Sequence, residues 1–425
     1  MTAATRRRYG GARLLLFVLS AVTASVEANP AELAGALSLD AAISLAHRSR
    51  AETRVVAARV DAARERPAIV AALDDPVLAP SIDHKPVDPM MKTDRSITFE
   101  QSFPLSRIRS HRRRAAEADV DKYVGEAGKS ALKIEADVGQ AFFMLNERRK
   151  THATLGRQLG LARDIVKLAA ARHAVGSAPQ AEVLRAEIEV ARLRTRQAAI
   201  LAETRAAEAM FNTALGLQPG VPVPALQVEG IQERLSLVPG LPAALETALR
   251  RRPEFRMTDA EIRRARAEID VMKSMYQPMV MVRAGMADTM TAGRGYMLMV
   301  GVSVPIWGAR LRAGVREASA MAAMAEADRE AMVRMIDGEV AATLESLRGA
   351  VATNLAFRDE LLPRAERAAG SAMTSYASGG LPLASVLEAN KALWSIQEEA
   401  VMAEASLGMA WVRHRSAIGH FGGIP

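Results

Sequence analysis

The 425-residue chain predicts an α+β membrane protein with an internal tandem duplication, each half carrying two β-strands and one long coiled-coil helical hairpin. Three observations lead there. Landmarks recur in register about 200 residues apart. A proline-free stretch from Ser106 to Ala174 allows a helix of about 100 Å at 1.5 Å per residue. Short runs of alternating polar and apolar residues stand just before that stretch and again before its counterpart.

The repeat shows in three places. Leu39–Arg66 aligns with Leu241–Glu268 at an offset of 202, pairing Leu39 with Leu241, Arg50 with Arg252, Glu52 with Glu254 and Ala63 with Ala265. Phe103-Pro104-Leu105 answers Val304-Pro305-Ile306 at 201, and Ala174 through Ala186 answers Ala377 through Ala389 at 203. A period this long is a duplicated module, not a solenoid repeat. The expected organisation is a signal peptide at 1–28, a first repeat at 29–238 and a second at 239–425.

The signal peptide rests on Arg6, Arg7, Arg8 and Arg13, the apolar run Leu14–Ala24 and the small-residue pattern Val26-Glu27-Ala28. The run is too short to span a bilayer, which takes about 20 residues. There is no cysteine, so neither a disulfide nor a lipidated cysteine anchor is available.

Each half begins with a short helix, Leu39–Ala46 or Pro242–Leu249, and a longer one, Glu52–Ala72 or Glu254–Met275. Strands are expected at Val77–Asp83 and Ser96–Phe103, joined by a loop through Lys85, Pro86 and Pro89. In the second half they fall at Met279–Met286 and Tyr296–Val304, separated by Asp288–Arg294. Thr98, Glu100 and Ser102 take one face and Ile97, Phe99 and Phe103 the other, with Gln101 as the exception. Pro104 and Pro305 stop the strands and release the long helices. Leu155, Leu159, Ala162, Val166, Ala169 and His173 form a heptad seam, which predicts a packed His173. Val183 to Ile200 and Val386 to Ala403 continue such seams beyond the breaks at Gly176–Pro179 and Gly379–Pro382. Each break is then the tip of an antiparallel hairpin: Val175, Gly176 and Ser177 in the first, Ser378, Gly379 and Gly380 in the second.

Outside the leader, no run of 18 apolar residues exists. A membrane crossing must therefore use β-strands closed into a barrel. Four strands cannot close one, since the smallest membrane barrels have about eight. Either the strands pack on a soluble core or several chains pool them.

Composition narrows the function. The chain is 49% hydrophobic but only 4% aromatic, as long helices are. Its net charge of +8 is spread among interleaved acids and bases. Arg112-Arg113-Arg114 is a dense basic run, and no aromatic residue interleaves with it, which argues against nucleic acid. The seven histidines show no metal-ligand spacing and the glycines near 285–308 form no phosphate loop, so no catalytic residue, cofactor or dedicated metal site is assigned. Met279, Met281, Met297 and Met299 would share the polar-lined face of a barrel, where thioethers suit soft metal ions; they also serve as flexible apolar filler.

Several of these segments together resemble the TolC-type outer-membrane efflux factors. Leu37-Ser38-Leu39-Asp40-Ala41-Ala42-Ile43-Ser44-Leu45-Ala46 looks like that family's opening helix. Arg252-Pro253-Glu254 is similar to its mid-chain start, and Tyr376-Ala377-Ser378-Gly379 leading to Val386-Leu387-Glu388-Ala389 to its second hairpin tip. Asp75-Pro76-Val77-Leu78 and Gln101-Ser102-Phe103-Pro104-Leu105 resemble the heavy-metal cation branch, although Ser106-Arg107-Ile108-Arg109 stands where that branch has glycine and lysine.

The resemblance implies a homotrimer in the outer membrane lipid of a Gram-negative bacterium. Its strands would be pooled into one transmembrane β-barrel and its helices into a periplasmic α-barrel. The partners implied are a periplasmic adaptor (membrane fusion protein) and an inner-membrane pump of the RND type or an ABC pump. The cargo would be heavy-metal cations, drugs or a type I secreted protein. By the same resemblance the aperture's acidic positions fall on Ser385 and Glu388, with Glu182 and Arg185 at the corresponding places of the first half, the arginine able to pair with acids across the opening. A periplasmic coiled-coil adaptor is the other reading. Adaptors carry one hairpin, whereas this chain predicts two.

Overall fold

The computed structural model describes residues 35–84, 93–228, 238–289 and 291–420. The expected signal peptide and the loop through Lys85, Pro86 and Pro89 lie outside them. The described chain runs β1 (Leu37–Ser38), α1 (Leu39–Ser49), α2 (Ala51–Ala71), β2 (Val77–His84), β3 (Asp94–Pro104), α3 (Ile108–Ala174), α4 (Gln180–Leu215) and β4 (Leu226–Gln227). It continues through α5 (Leu241–Arg251), α6 (Pro253–Ser274), β5 (Met279–Thr289), β6 (Gly293–Ser303) and α7 (Gly308–Ala356). A π-helical turn at Phe357–Leu361 leads into α8 (Leu362–Ala377), and α9 (Leu383–Ala417) closes the chain.

Local chemistry sets these boundaries. Ser38 caps α1 by accepting from the Ala41 amide. At the α1–α2 kink Arg50 binds Glu52 at 2.9 Å and Asp137 at 3.4 Å. At the α5–α6 kink Arg252, with its side chain 7% exposed, binds Glu254 and Glu339, both at 3.0 Å, and also donates to the carbonyls of Ser416 and Ala417. These arginines tie each kink to the next long helix by charge-assisted hydrogen bonds, stronger than neutral ones. The 67 residues of α3 span about 100 Å at 1.5 Å per residue. Its counterpart α7 is interrupted by the π turn just before Pro363, whose missing N–H would leave the Asp359 carbonyl without its helical partner. The sequence reading of one long helix after Pro305 is corrected accordingly.

The strands are longer than the sequence reading gave. β3 starts at Asp94, not Ser96; β5 runs to Thr289, not Met286; β6 spans Gly293–Ser303, not Tyr296–Val304. The β5–β6 connection is thus 290–292 and not the whole of Asp288–Arg294. The extensions carry Asp288, Gly293 and Arg294, which do not alternate in polarity but pair in register, Asp288 with Arg294 and Thr289 with Gly293.

The four long strands form one antiparallel sheet in the order β2-β3-β5-β6. Residues directly opposite share a face. Register puts Thr98, Gly285 and Met297 on one side with Glu100, Arg283 and Met299. Polar contacts run along it: the Ser81 and Ser96 hydroxyls share a hydrogen bond at 2.7 Å, and Arg283 donates to Glu100 at 2.8 Å. The opposite side carries Leu78, Ile97, Phe99, Val282, Leu298 and Val300 and stands bare, with Leu298 at 74% and Tyr296 at 90% exposure. The exception on that face, Gln101, turns its amide back to the Asp74 carbonyl at 2.8 Å, at the helical end of the sheet.

A proline marks every passage between sheet and helices: Pro76 before β2, Pro104 at the end of β3, Pro278 before β5 and Pro305 after β6. Proline has no N–H for the ladder; the ladders of β3, β5 and β6 end together at Pro104, Met279 and Ser303, whereas that of β2 ends higher, with Val77 opposite Glu100. No described helix is long and apolar enough to cross a membrane.

The main core lies where α1, α3, α4, α7 and α9 meet around Phe142, Phe143, Leu145, Phe211 and Trp411. Phe142 is fully buried and meets Phe211 edge-on at 6.1 Å. Phe142→Ala leaves a cavity there and is expected to cost about 3–5 kcal/mol. Thermal unfolding of the detergent-solubilised protein reads this as a lowered midpoint, and an unchanged midpoint would contradict the packing.

Candidate functional site

The far end of the molecule from the sheet is made by the two hairpin tips. Gly176 has φ +76° and Gly379 φ +86°, the left-handed region that favours glycine. The first tip closes with the Gly176 amide on the His173 carbonyl and the Ser177 amide on the Arg172 carbonyl, both at 2.9 Å. The second closes likewise, Gly379 onto Tyr376 at 3.0 Å and Gly380 onto Ser375 at 2.8 Å. A β-carbon added at Gly176 would meet nothing within 4 Å, so backbone conformation and not crowding keeps glycine there.

The tips are joined by a cluster that sequence reading did not assemble. Tyr376 is fully buried, yet its hydroxyl donates to Glu182 Oε2 at 2.9 Å. Arg172 donates to the Tyr376 carbonyl at 2.7 Å and lays its guanidinium 4.4 Å from the tyrosine ring centroid. Tyr376 of the second hairpin is thereby held between two charged groups of the first. Burial, then the Glu182 hydrogen bond and charge, push the phenol pKa up to about 12, so the hydroxyl remains a donor at any physiological pH. Ile165, Ala169, Ala186, Leu383, Val386 and Leu387 pack around it.

The aperture residues expected from sequence fall on the first two turns of α4 and α9. Glu182 is engaged by Tyr376. Arg185 and Glu388 are exposed and Ser385 is half-buried. None of these last three has a side-chain hydrogen bond or ion pair among the described residues. His173 corrects the seam reading: it is exposed, and its Nδ1 lies 2.9 Å from the Ala178 carbonyl, tying off the turn. The reason lies in the repeat. His173 and Tyr376 occupy equivalent places at an offset of 203, but only the tyrosine side faces the other hairpin. That equivalence, with a tyrosine three residues before a turn glycine in a chain of 4% aromatics, was the available signal. Arg172 left none.

At the other end, Met279, Met281, Met297 and Met299 do share the polar face of the sheet with Glu100, Arg283 and Ser303. Met281 lies over Gly301, whose β-carbon position is 3.0 Å from its methyl.

Known proteins carry the same architecture. Residues 244–420 match the family model described as outer membrane efflux protein. The chain is 28% identical over 296 residues to the pyoverdine export outer membrane protein OpmQ of Pseudomonas aeruginosa; the match takes in 65% of this chain and 60% of the length of that relative. The solved structure of the outer-membrane channel OprN superposes with a TM-score of 0.77 at 19% identity, covering 90% of both chains. That of the outer membrane protein VceC from Vibrio cholerae gives 0.74 at 16% identity, covering 90% of this chain and 96% of its own. The fold and the sequence comparison agree: residues 244–420 match the outer membrane efflux protein family, and the chain as a whole has the fold of solved outer-membrane channels.

Proposed function

We propose that this protein is the exit duct of a tripartite efflux system, a passive conduit and not an enzyme. Three copies, each an internal duplication with repeats at 29–238 and 239–425, pool their strands into a transmembrane barrel and their helices into a periplasmic tunnel. The observation that carries this is the sheet: one face apolar and bare, the other polar, with two unpaired edges, joined directly to helices about 100 Å long. A lone four-stranded sheet leaves its edge N–H and C=O groups open in lipid, which is not tolerated. Pairing β6 of one copy with β2 of the next removes those edges. The solubilised protein should therefore weigh as three chains and conduct ions in a planar bilayer. A stable monomer that keeps its β signal and forms no pore would overturn the proposal.

The hairpin tips at Val175–Ser177 and Ser378–Gly380 face the periplasmic adaptor, and an inner-membrane pump supplies the energy. Gly379→Asp is expected to abolish efflux while the protein still reaches the outer membrane. Gly379→Asn, which tolerates left-handed backbone better than most residues, serves as the control for strain. Adaptor cross-linking and efflux at wild-type levels in Gly379→Asp would remove the tips from the docking surface.

Glu388, with Ser385 and Arg185 beside it, rings the opening on the threefold axis. Charge rings select permeants by sign. Glu388→Ala should lower cation preference, and Arg185→Glu should raise conductance by bringing like charges together at closure. Bilayer recordings unchanged in both variants would place the constriction elsewhere.

For cargo, the OpmQ likeness favours a small organic chelator of the pyoverdine kind. The four methionines on the polar face favour soft metal cations as a second reading. Growth of a deletion strain on a panel of metals, siderophores, dyes and drugs separates the two.

A further inference from the structure

We propose that the junction between sheet and helices binds the phosphate headgroup of a phospholipid in the periplasmic leaflet of the outer membrane. The proposal rests on reading the sheet as a membrane wall. A cavity of about 600 Å³ lies where all four strand–helix passages meet, touched by Asp74, Ser106, Gln277 and Pro305. Three guanidiniums line it, Arg109, Arg112 and Arg310, against one acid, Asp74. Arg109 spends its Nε on the Ala71 carbonyl at 2.6 Å, which leaves its terminal nitrogens over. Arg112 and Arg310 have neither an ion pair nor a side-chain hydrogen bond among the described residues.

Arg112 heads a dense basic run, Arg112-Arg113-Arg114, that the channel reading leaves without a role. Its neighbours are engaged: Arg113 approaches Glu117 at 3.5 Å and Arg114 approaches Asp270 at 3.8 Å. Guanidiniums of like charge around one cavity repel, and an anion with several oxygens relieves this by forked hydrogen bonds.

Depth and rim select a lipid over a soluble anion. Pro104, Met279 and Ser303 touch the cavity from the polar side of the sheet and Val304 from the apolar side, so it lies under the end of the sheet, at the level where the apolar face stops. Val304 continues that face at 64% exposure and lines the cavity with Trp307, 68% exposed. Leu105 and Ile306 stand exposed next to them. Tryptophan sits at the headgroup level of membranes, and basic pockets there hold anionic headgroups. An apolar rim beside a cationic cavity matches an acyl chain beside its phosphate.

The test uses the full-length protein in mild detergent. Native mass spectrometry during titration with phosphatidylglycerol should show retained lipid, weakened roughly tenfold in Arg112→Gln/Arg310→Gln and unchanged in Arg113→Gln. Millimolar inorganic phosphate should not displace it. In the unmutated protein, brominated phosphatidylglycerol should quench Trp307 at lower concentration than brominated diacylglycerol, which lacks the phosphate; Trp394 and Trp411 are buried. Equal retention by the double variant, or equal quenching by the two lipids, overturns the proposal. Displacement by inorganic phosphate overturns it in favour of a soluble-anion site. A protein that stays soluble without detergent fails the channel reading itself, whereas an inserted channel with indifferent arginines fails only this inference.

Discussion

Val300→Arg is expected to keep the protein out of the outer membrane, whereas Met297→Arg, three residues away on the other face, leaves it there. Val300 pairs with Val282 near the middle of eleven-residue strands, on the face that carries Leu298 and Val302. Eleven residues at about 3.4 Å each make a strand some 37 Å long, roughly 28 Å tall at a barrel tilt of about 40°, so this position would sit deep in a bilayer. An arginine facing lipid at the midplane of a membrane barrel costs about 2–4 kcal/mol, and the proposed trimer would take it three times. Met297 is opposite Gly285 on the side with Glu100 and Arg283, where the water-filled lumen of the proposed barrel would solvate the charge. Outer-membrane fractionation and trimer recovery read both variants. If they behave alike, the sheet is not a membrane wall.

Tyr376→Phe is the second change with a large expected effect: it should open the tip end and raise single-channel conductance. The hydroxyl-to-Glu182 bond links the two hairpins, and a hydrogen bond to a charged group contributes about 1.5–3 kcal/mol. Losing it shifts a closed-to-open balance by roughly ten- to a hundredfold per chain. Arg172→Ala should act in the same direction, because the guanidinium holds the Tyr376 carbonyl and ring.

The pH dependence follows from the direction of the shift. The phenol is raised in the fold to about 12 from its ordinary 10. Its contribution is therefore complete below pH 10 and is lost only as pH rises through about 12. Conductance that climbs between pH 8 and 10 in the wild type, or that is the same in wild type and Tyr376→Phe, would exclude this hydroxyl as the tie.

Much of this architecture was legible because period and punctuation agree along the chain. The short-then-long helix pairs at Leu39 and Leu241, the strands beginning at Val77 and Met279, and the turns at Gly176 and Gly379 stand within a few residues of where spacing, proline and glycine put them. The outer ends of the strands were not legible. Ala287–Thr289 and Gly293–Gly295 are held by ladder hydrogen bonds to their partners, without the two-sided burial that writes alternation into sequence. Nor was the Arg172–Tyr376–Glu182 cluster. Its members are about 200 residues apart, and only the docking of the two hairpins brings them together. The two-residue parallel pairing of β1 with β4, Leu37 opposite Leu226, is of the same long-range kind.

The unequal ends of the strands bear on which chains can share a tube. The two edge strands of the described sheet end at different levels, β2 at Val77 opposite Glu100 and β6 at Ser303 opposite Met279. A neighbour paired one residue away from the register that this offset sets would turn its lipid-facing side chains to the water. In the proposed barrel this offset would act as a gauge, fitting a partner of matching strand height and polarity, as another copy of this chain has. A related channel protein expressed in the same cell, with its strand ends one position off, would be refused at the seam and not in the tunnel below.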